Sequence, residues 1–437
     1  MTLAAPRMAE ATAIPVLYLM PGCGTCHQVK GFLERHQIPV ELRWVTEARH
    51  EAWVREHLAG EGRPLGLPYL LVGEAVLSGY NPAALRRVLA EAGFELTTAT
   101  AAAAPSAEVS DAPMPRPGLW VTNFLAGSLS FVDPRTGARL APDLPLGADS
   151  NPVSLAQDPA SGVIAVSDMG LSCVLFIDGK TGRWLRGDRE ASSIDVPKQP
   201  CDLVFDGRRG RFYVPLVDAG RLAAFDSATG RLLRGDVAAS SVEVGRNAGG
   251  LLLDPIADRI LLRSGEGVLG VPCEEFDGAG PDGRRRFAFG PGRNMALDVE
   301  SRRLYVPTFD GAVAYVDADS LDYAFGSPEA SCAVVDRTPF TLEVDPSTGT
   351  VLVSCMSNQT LHLLEAAAPR PRPGPVRSLP AAARTMCRLH DGVVAVSAFD
   401  EDMVVFLDSR TGEALDLGEG PLRAATGRGP RGLRPIT

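Results

Sequence analysis

The first hundred residues change hydrophobic period several times. Residues 16–20 form an unbroken apolar run, and apolar positions then recur at helical spacing over 25–36, where Val29 and Leu33 share one side. Residues 40–45 alternate apolar and polar positions, as a half-buried strand does. Trp53, Val54 and Leu58 give residues 46–58 one apolar side and predict a second helix. Tyr69–Val72 and Ala75–Ser78 read as strands flanking Gly73-Glu74, a two-residue hairpin turn with glycine first. Asn81-Pro82 opens a last helix with Leu85, Val88 and Leu89 as its apolar face, and Gly93 stops it. The predicted order is βαβαββα.

From Gly118 onward the pattern is different and it repeats. An apolar residue followed by Asp recurs at Asp133, Asp178, Asp226, Asp317 and Asp408, at separations of 45, 48, 91 and 91 residues. A second Asp opens a turn in each period: Asp158, Asp206, Asp254, Asp298, Asp345 and Asp391. Seven short apolar strands belong to the same frame: 119–122, 163–167, 212–215, 260–263, 304–307, 351–354 and 393–397. Each period holds about four short strands and no helical pattern, and repeats of roughly 40–50 residues built this way predict a seven-bladed β-propeller. Closure is expected from residues 422–426, because Gly420-Pro421-Leu422 matches the turn Asn151-Pro152-Val153 that leads into an innermost strand. Residues 428–437 then read as a solvated tail, and the proline-rich stretch 369–375 as a loop.

Between the two patterns, residues 95–117 are rich in Ala and Pro and lack apolar periodicity, which makes them a linker. About twenty such residues span on the order of 25 Å. The predicted organisation is thus an α/β domain over 14–94, a linker over 95–117, an all-β propeller over 118–427 and a tail over 428–437.

Composition adds limits. At 437 residues the chain is too long for one ordinary core, and 45% hydrophobic with 22% charged residues is globular. A net charge of -10 argues against nucleic acid or an acidic membrane surface as a bulk partner. No apolar run reaches the ~20 residues of a membrane span, and the short run at 16–20 reads as a strand and not as a signal peptide. The expected location is cytoplasmic. Six scattered cysteines (Cys173, Cys201, Cys273, Cys332, Cys355 and Cys387) have no framework spacing and read as buried free thiols in a reducing compartment.

Only one place has spacing that itself implies chemistry: Pro21-Gly22-Cys23-Gly24-Thr25-Cys26. A strand ends, the chain turns, and a helix starts near Cys23. Its sulfur would face the unpaired N–H groups and the positive end of the helix dipole, a field that favours thiolate. Cys26, one turn on, points toward the core with Val29 and Leu33 and can attack a mixed disulfide formed at Cys23. A zinc site needs four ligands, but there is no second CxxC, and His27 and His36 lack finger spacing. No bound metal or cofactor is expected.

The order βαβαββα with a CxxC at the first strand–helix junction resembles glutaredoxin. The resemblance covers residues 14–94 and rests on Cys23-Gly24-Thr25-Cys26, Leu67-Pro68-Tyr69 and Ser78-Gly79-Tyr80-Asn81. It implies a thioredoxin-like α/β fold, thiol–disulfide exchange with Cys23 as attacking and Cys26 as resolving thiol, and a cis proline at Pro68 facing the pair. It further implies that Leu67, Pro68, Gly79, Tyr80 and Asn81 bind the substrate, with the Gly79 region receiving the γ-glutamyl end of glutathione. Leu19-Met20 stands where the family usually has a lysine, and Gly-Thr separates the cysteines in place of Pro-Tyr. The electron donor, glutathione or another reductant such as a reductase, stays open. Trp120-Val121-Thr122-Asn123 followed by Val132-Asp133 and Thr136-Gly137 resembles the YVTN propeller repeat, which speaks to fold.

The expected protein is a glutaredoxin-like thiol–disulfide oxidoreductase tethered to a propeller that binds a ligand or protein. Two rivals are a redox-sensing scaffold and a lactonase-like propeller hydrolase with an accessory redox domain. At the propeller mouth Lys198, Arg246, Arg293, Arg337 and Arg384 stand in loops leading to innermost strands in five successive repeats, a set suited to an anionic ligand.

Overall fold

The computed structural model describes residues 14–20, 24–59, 67–80, 82–96, 118–147, 149–197, 199–245, 247–264, 266–290, 292–366, 373–381, 383–390, 392–416 and 420–436. The chain divides into two compact units, residues 1–103 and 104–437.

In the first unit, β1 (Val16–Leu19) is followed by α1 (Gly24–Arg35), β2 (Glu41–Trp44), α2 (Ala48–Val54), β3 (Tyr69–Val72), β4 (Ala75–Ser78) and α3 (Pro82–Glu91). The strands form one mixed sheet in the order β2-β1-β3-β4. β1 runs parallel to β2 and antiparallel to β3. The alternation of the sequence becomes two faces. Leu17, Leu19, Leu70 and Val72 pack with Val29, Phe32 and Leu33 of α1 and Leu85, Val88 and Leu89 of α3. Tyr18 and Tyr69 point the other way, and Tyr18 stacks on Trp53 of α2 with ring centroids 4.9 Å apart. Gly73 takes a left-handed φ of 57°, as its hairpin position demands. α2 runs on as a π-helical turn over Arg55–Ala59.

The second unit is all β. Seven antiparallel sheets follow one another along the chain, and each of the seven strands expected from the repeat is the second strand of its sheet. The innermost strands are Pro430–Ile436, Pro152–Gln157, Val204–Asp206, Gly250–Asp254, Ala296–Asp298, Pro339–Asp345 and Ala383–His390, numbered here as blades 1 to 7. Each lies beside the next, and that of blade 7 lies beside that of blade 1, so the strands form a closed ring. This is a β-propeller-like fold.

The recurring aspartates are the turn makers. The carboxylates of Asp158, Asp206, Asp254, Asp298 and Asp345 each accept the backbone N–H two residues on, at 2.9, 2.9, 3.2, 3.1 and 3.0 Å. Several also tie one blade to the following one. Ser227 donates to Asp158 at 2.8 Å, and Ser409 donates to Asp345 at 2.6 Å. Where a small residue, Ala318, replaces that serine, Arg302 reaches back and grips Asp254 through two bonds of 2.8 Å.

Two expectations are corrected. The closing strand is Pro430–Ile436, paired with Gly118–Asn123, and not residues 422–426. Arg423–Ala425 is instead the outermost strand of blade 7, paired with Met403–Asp408. Hence residues 430–436 are an integral strand and not a tail. Near the end of the chain Gly-Pro-X stands both at Gly420-Pro421-Leu422 and at Gly429-Pro430-Arg431, and only the second leaves room for an outer strand before it. The proline-rich stretch is likewise not all loop: Pro373–Ser378 is the outermost strand of blade 6, at a sheet edge where proline is tolerated.

Candidate functional site

Cys26 lies in the first turn of α1, fully buried and disulfide-bonded. Helical spacing sets it on the face that carries Val29 and Leu33, so all three enter the same apolar cluster. Leu67 and Tyr80 pack against that cluster as well. The Leu67–Pro68 peptide is cis and leads directly into β3. Gly79 has a left-handed φ of 75°, and its N–H donates to the Pro68 carbonyl at 3.0 Å. Two sequence motifs eleven residues apart are therefore joined by a backbone hydrogen bond at one end of the β3–β4 hairpin. Of the residues expected to act here, Cys26, Leu67 and Tyr80 share a cluster, with Pro68 and Gly79 joined beside it. Cys23 and Asn81 lie outside the described residues.

The second unit holds a cavity of ≈ 180 Å³ inside the ring of innermost strands. Three arginines line it: Arg293, Arg384 and Arg431. Their guanidinium groups are held over aromatic rings. Arg384 sits over Phe399 at 4.7 Å and Phe340 at 5.4 Å, Arg293 over Phe340 at 5.9 Å, and Arg431 over Phe124 at 4.8 Å. Arg384 and Arg431 are buried. Burial first, then the Arg431 charge, pushes Arg384 down to about 9. Arg431 is pushed down to about 10 by burial and by Arg293. Both remain charged at neutral pH. Asp202 and Glu343 also line the cavity; burial raises the first and pushes the second up to about 7.

This differs from the five-cation mouth expected from the sequence. Arg293 and Arg384 are in the cavity, but Arg337 is exposed and does not line it. Lys198 and Arg246 lie outside the described residues. In blade 5 Arg293 lines the cavity from the loop before its strand, but in five other blades the residue that faces inward is the second of the innermost strand. Val153, Leu251, Phe340, Arg384 and Arg431 all occupy that position, whereas Arg337 precedes its strand by two residues. Arg431 was hidden by the reading of its strand as a tail. Its signal was the spacing: Pro430 stands 22 residues past Asp408, as Pro339 stands 22 past Asp317.

Among the described residues no three His, Cys, Asp or Glu side chains gather as a metal site, and no helix is long and apolar enough to cross a membrane. Asn151, at an inner-strand start, donates to the Phe124 carbonyl at 2.8 Å.

No family model and no curated protein matches the sequence. In fold, the chain is similar to a functionally unknown protein from Desulfotomaculum acetoxidans, with a TM-score of 0.55, 13% identity, and 73% of this chain and 98% of that one covered. It is also similar to hydrazine synthase from Kuenenia stuttgartiensis (TM-score 0.49, 13% identity, 64% and 88% covered). A third similar structure is virginiamycin B lyase from Staphylococcus aureus (TM-score 0.45, 11% identity, 61% and 83% covered). At these identities the likeness concerns the fold alone.

Proposed function

We propose that the chain is a glutaredoxin-like thiol–disulfide oxidoreductase carried on a β-propeller-like binding platform. One observation carries the reading: Cys26 of the CxxC is disulfide-bonded, while the six cysteines of the second unit are free. Support also comes from the β2-β1-β3-β4 sheet and from the Pro68–Gly79 hydrogen bond at the hairpin end nearest the motifs.

In this reading the Cys23 thiolate attacks one sulfur of a substrate disulfide. A Cys23–substrate bond forms, the substrate S–S bond breaks, and the departing sulfur takes a proton. Cys26, deprotonated as it attacks, then bonds to the Cys23 sulfur and expels the second substrate thiolate. The substrate gains two electrons and two protons, and the Cys23–Cys26 disulfide is left. Two equivalents of glutathione, or a reductase, return the pair to the dithiol. Leu67, Pro68, Gly79, Tyr80 and Asn81 would hold the substrate backbone beside the sulfurs. No resident cofactor is needed, and the free thiols of the second unit suit a reducing, cytoplasmic setting.

The test is capture. A full-length Cys26→Ser chain should accumulate a mixed disulfide on Cys23, and the double Cys23→Ser/Cys26→Ser chain should capture nothing. Repeated turnover of a glutathione mixed disulfide by the native chain separates an enzyme from a sensor that is oxidised once. Equal capture by both variants would overturn the proposal.

A further inference from the structure

We infer that the ring of innermost strands encloses a binding site for a small oxyanion, built from Arg293, Arg384 and Arg431. The inference rests on the reading of the second unit as a binding platform and deepens it by naming the site and its ligand class.

A guanidinium carries its charge over a plane: its face can stack on a ring, while its five N–H donors lie along the edge. All three arginines use that face, against Phe340, Phe399 and Phe124. Stacking leaves the edges for partners in the plane, and a carboxylate or phosphate presents the matching pair of oxygens. Among the described residues, the guanidinium groups of Arg293 and Arg431 make no salt bridge or hydrogen bond; their contacts are to Phe340 and Phe124. Elsewhere in the same unit arginines are tied up. Arg302 grips Asp254, Arg209 grips Asp258, and Arg263 caps the carbonyls of Gly290 and Pro307. Arg293 and Arg431 thus stand apart in how they are held, while Arg384 also reaches Met356 Sδ at 3.8 Å.

Charge points the same way. In a chain of net charge -10, three cations converge on one cavity. Burial first, and then the neighbouring arginine charges, lowers the proton affinity of Arg384 and Arg431. Two carboxyl groups share the wall, but burial raises both, and Glu343 is pushed up to about 7. They therefore offset less than two full charges. Size fits as well. A cavity of about 150 Å³ holds a benzene ring, and this one measures ≈ 180 Å³ and is lined by polar as well as apolar groups. The common chemistry is a compact anion with one or more planar or tetrahedral oxygen sets, carboxylate or phosphate.

The experiment titrates citrate and pyrophosphate separately into the full chain by calorimetry, at low salt and again with added chloride. Both titrations are repeated on Cys23→Ser, so that redox chemistry plays no part. The expected result is binding of one or both anions that survives added chloride and weakens at least tenfold in Arg431→Met and Arg384→Met. Because those two side chains are buried, Arg293→Met serves as the variant least exposed to folding loss and should weaken binding severalfold. Absence of binding by both anions, binding that vanishes with chloride, or unchanged affinity in Arg293→Met and Arg431→Met would overturn the site. The platform reading is judged separately: proteins captured on Cys23 should remain associated after the disulfide is reduced. Retention without oxyanion binding rejects the anion site alone, and release rejects the platform.

Discussion

Cys26 and Cys273 are both fully buried, yet the first is in a disulfide and the second is a free thiol. Their surroundings explain the contrast. Cys273 begins a short 3-10 turn in the second unit, and burial, with the carboxylates of Asp206 and Asp258, pushes its thiol up to about 12. Cys173 and Cys355 are pushed up to about 12 in the same way, by burial and then by Asp168 and Asp336. Carboxylates recur near these sulfurs because the same residues make the turns and strand ends that build each blade. The propeller-like unit therefore uses cysteine as a small apolar side chain. The first unit places Cys26 in the first turn of a helix, three residues after a second cysteine in the sequence. One residue type serves packing in one unit and is assigned chemistry in the other, and what sets the second apart is a partner cysteine three residues away in the sequence.

The two units also differ in how they are closed, and that contrast can be attacked directly. The first has its own core around α1 and its sheet. The second depends on Pro430–Ile436 to complete blade 1. Removing residues 430–437 should therefore abolish the cooperative melting of the second unit while that of the first remains in a calorimetric scan. Two unchanged transitions would contradict closure by this strand.

A smaller effect is expected at a single clasp between blades. Asp254 is fully buried and is held by Arg302 through two hydrogen bonds, with Arg259 at 3.4 Å. Arg302→Ala leaves that carboxylate with Arg259 as its charged partner, besides the backbone N–H groups of Ile256 and Ala257, and should cost about 2–4 kcal/mol, read from urea unfolding. The Arg302 interaction holds the Asp254 carboxyl below its usual range, so its contribution should be present at neutral pH and lost as the solution is acidified through that lowered pKa. A cost that does not change on acidification would place the role of Arg302 elsewhere.

Smaller again is the effect at Glu343 in the cavity wall. Its carboxyl is raised to about 7, first by burial and further by Asp345, while Arg388 opposes the shift and the Cys387 thiol lies within its field. A raised carboxyl stabilises the fold fully below the unfolded value of 4.5, and that stabilisation is lost as pH rises through about 7. Glu343→Gln should thus leave stability nearly unchanged at acidic pH and raise it by about 1–2 kcal/mol at mildly alkaline pH. Equal differences at both pH values would show that Glu343 stays charged throughout.

Much of the fold could be read from the sequence because its signals are local. The hairpin at Gly73, the helix stop at Gly93 and the recurring aspartate turns are each set by a few adjacent residues, and the seven second strands follow from the repeat. Closure was misread because it pairs the two ends of a unit more than three hundred residues apart, Gly118–Asn123 with Pro430–Ile436. A Gly-Pro turn at 420–421 offered a nearer, wrong solution. The error at closure carried into the site: with Arg431 placed in a tail, the cavity lost one of its three cations. Arg337 and Arg293 both stand ahead of their strands, yet only Arg293 lines the cavity, because counting back from a turn cannot say which residues face inward.

The most direct measurement of the account returns to the sulfurs. The fully reduced chain is treated at pH 6–7 with a limiting amount of alkylating reagent, and the label is mapped by mass spectrometry. Cys23 should take the label first, well ahead of Cys26 and of the six cysteines of the second unit, whose environments favour the thiol. Labelling led by Cys26, or by any of Cys173, Cys201, Cys273, Cys332, Cys355 and Cys387, would contradict the assignment of Cys23 as the reactive thiolate and with it the proposed activity.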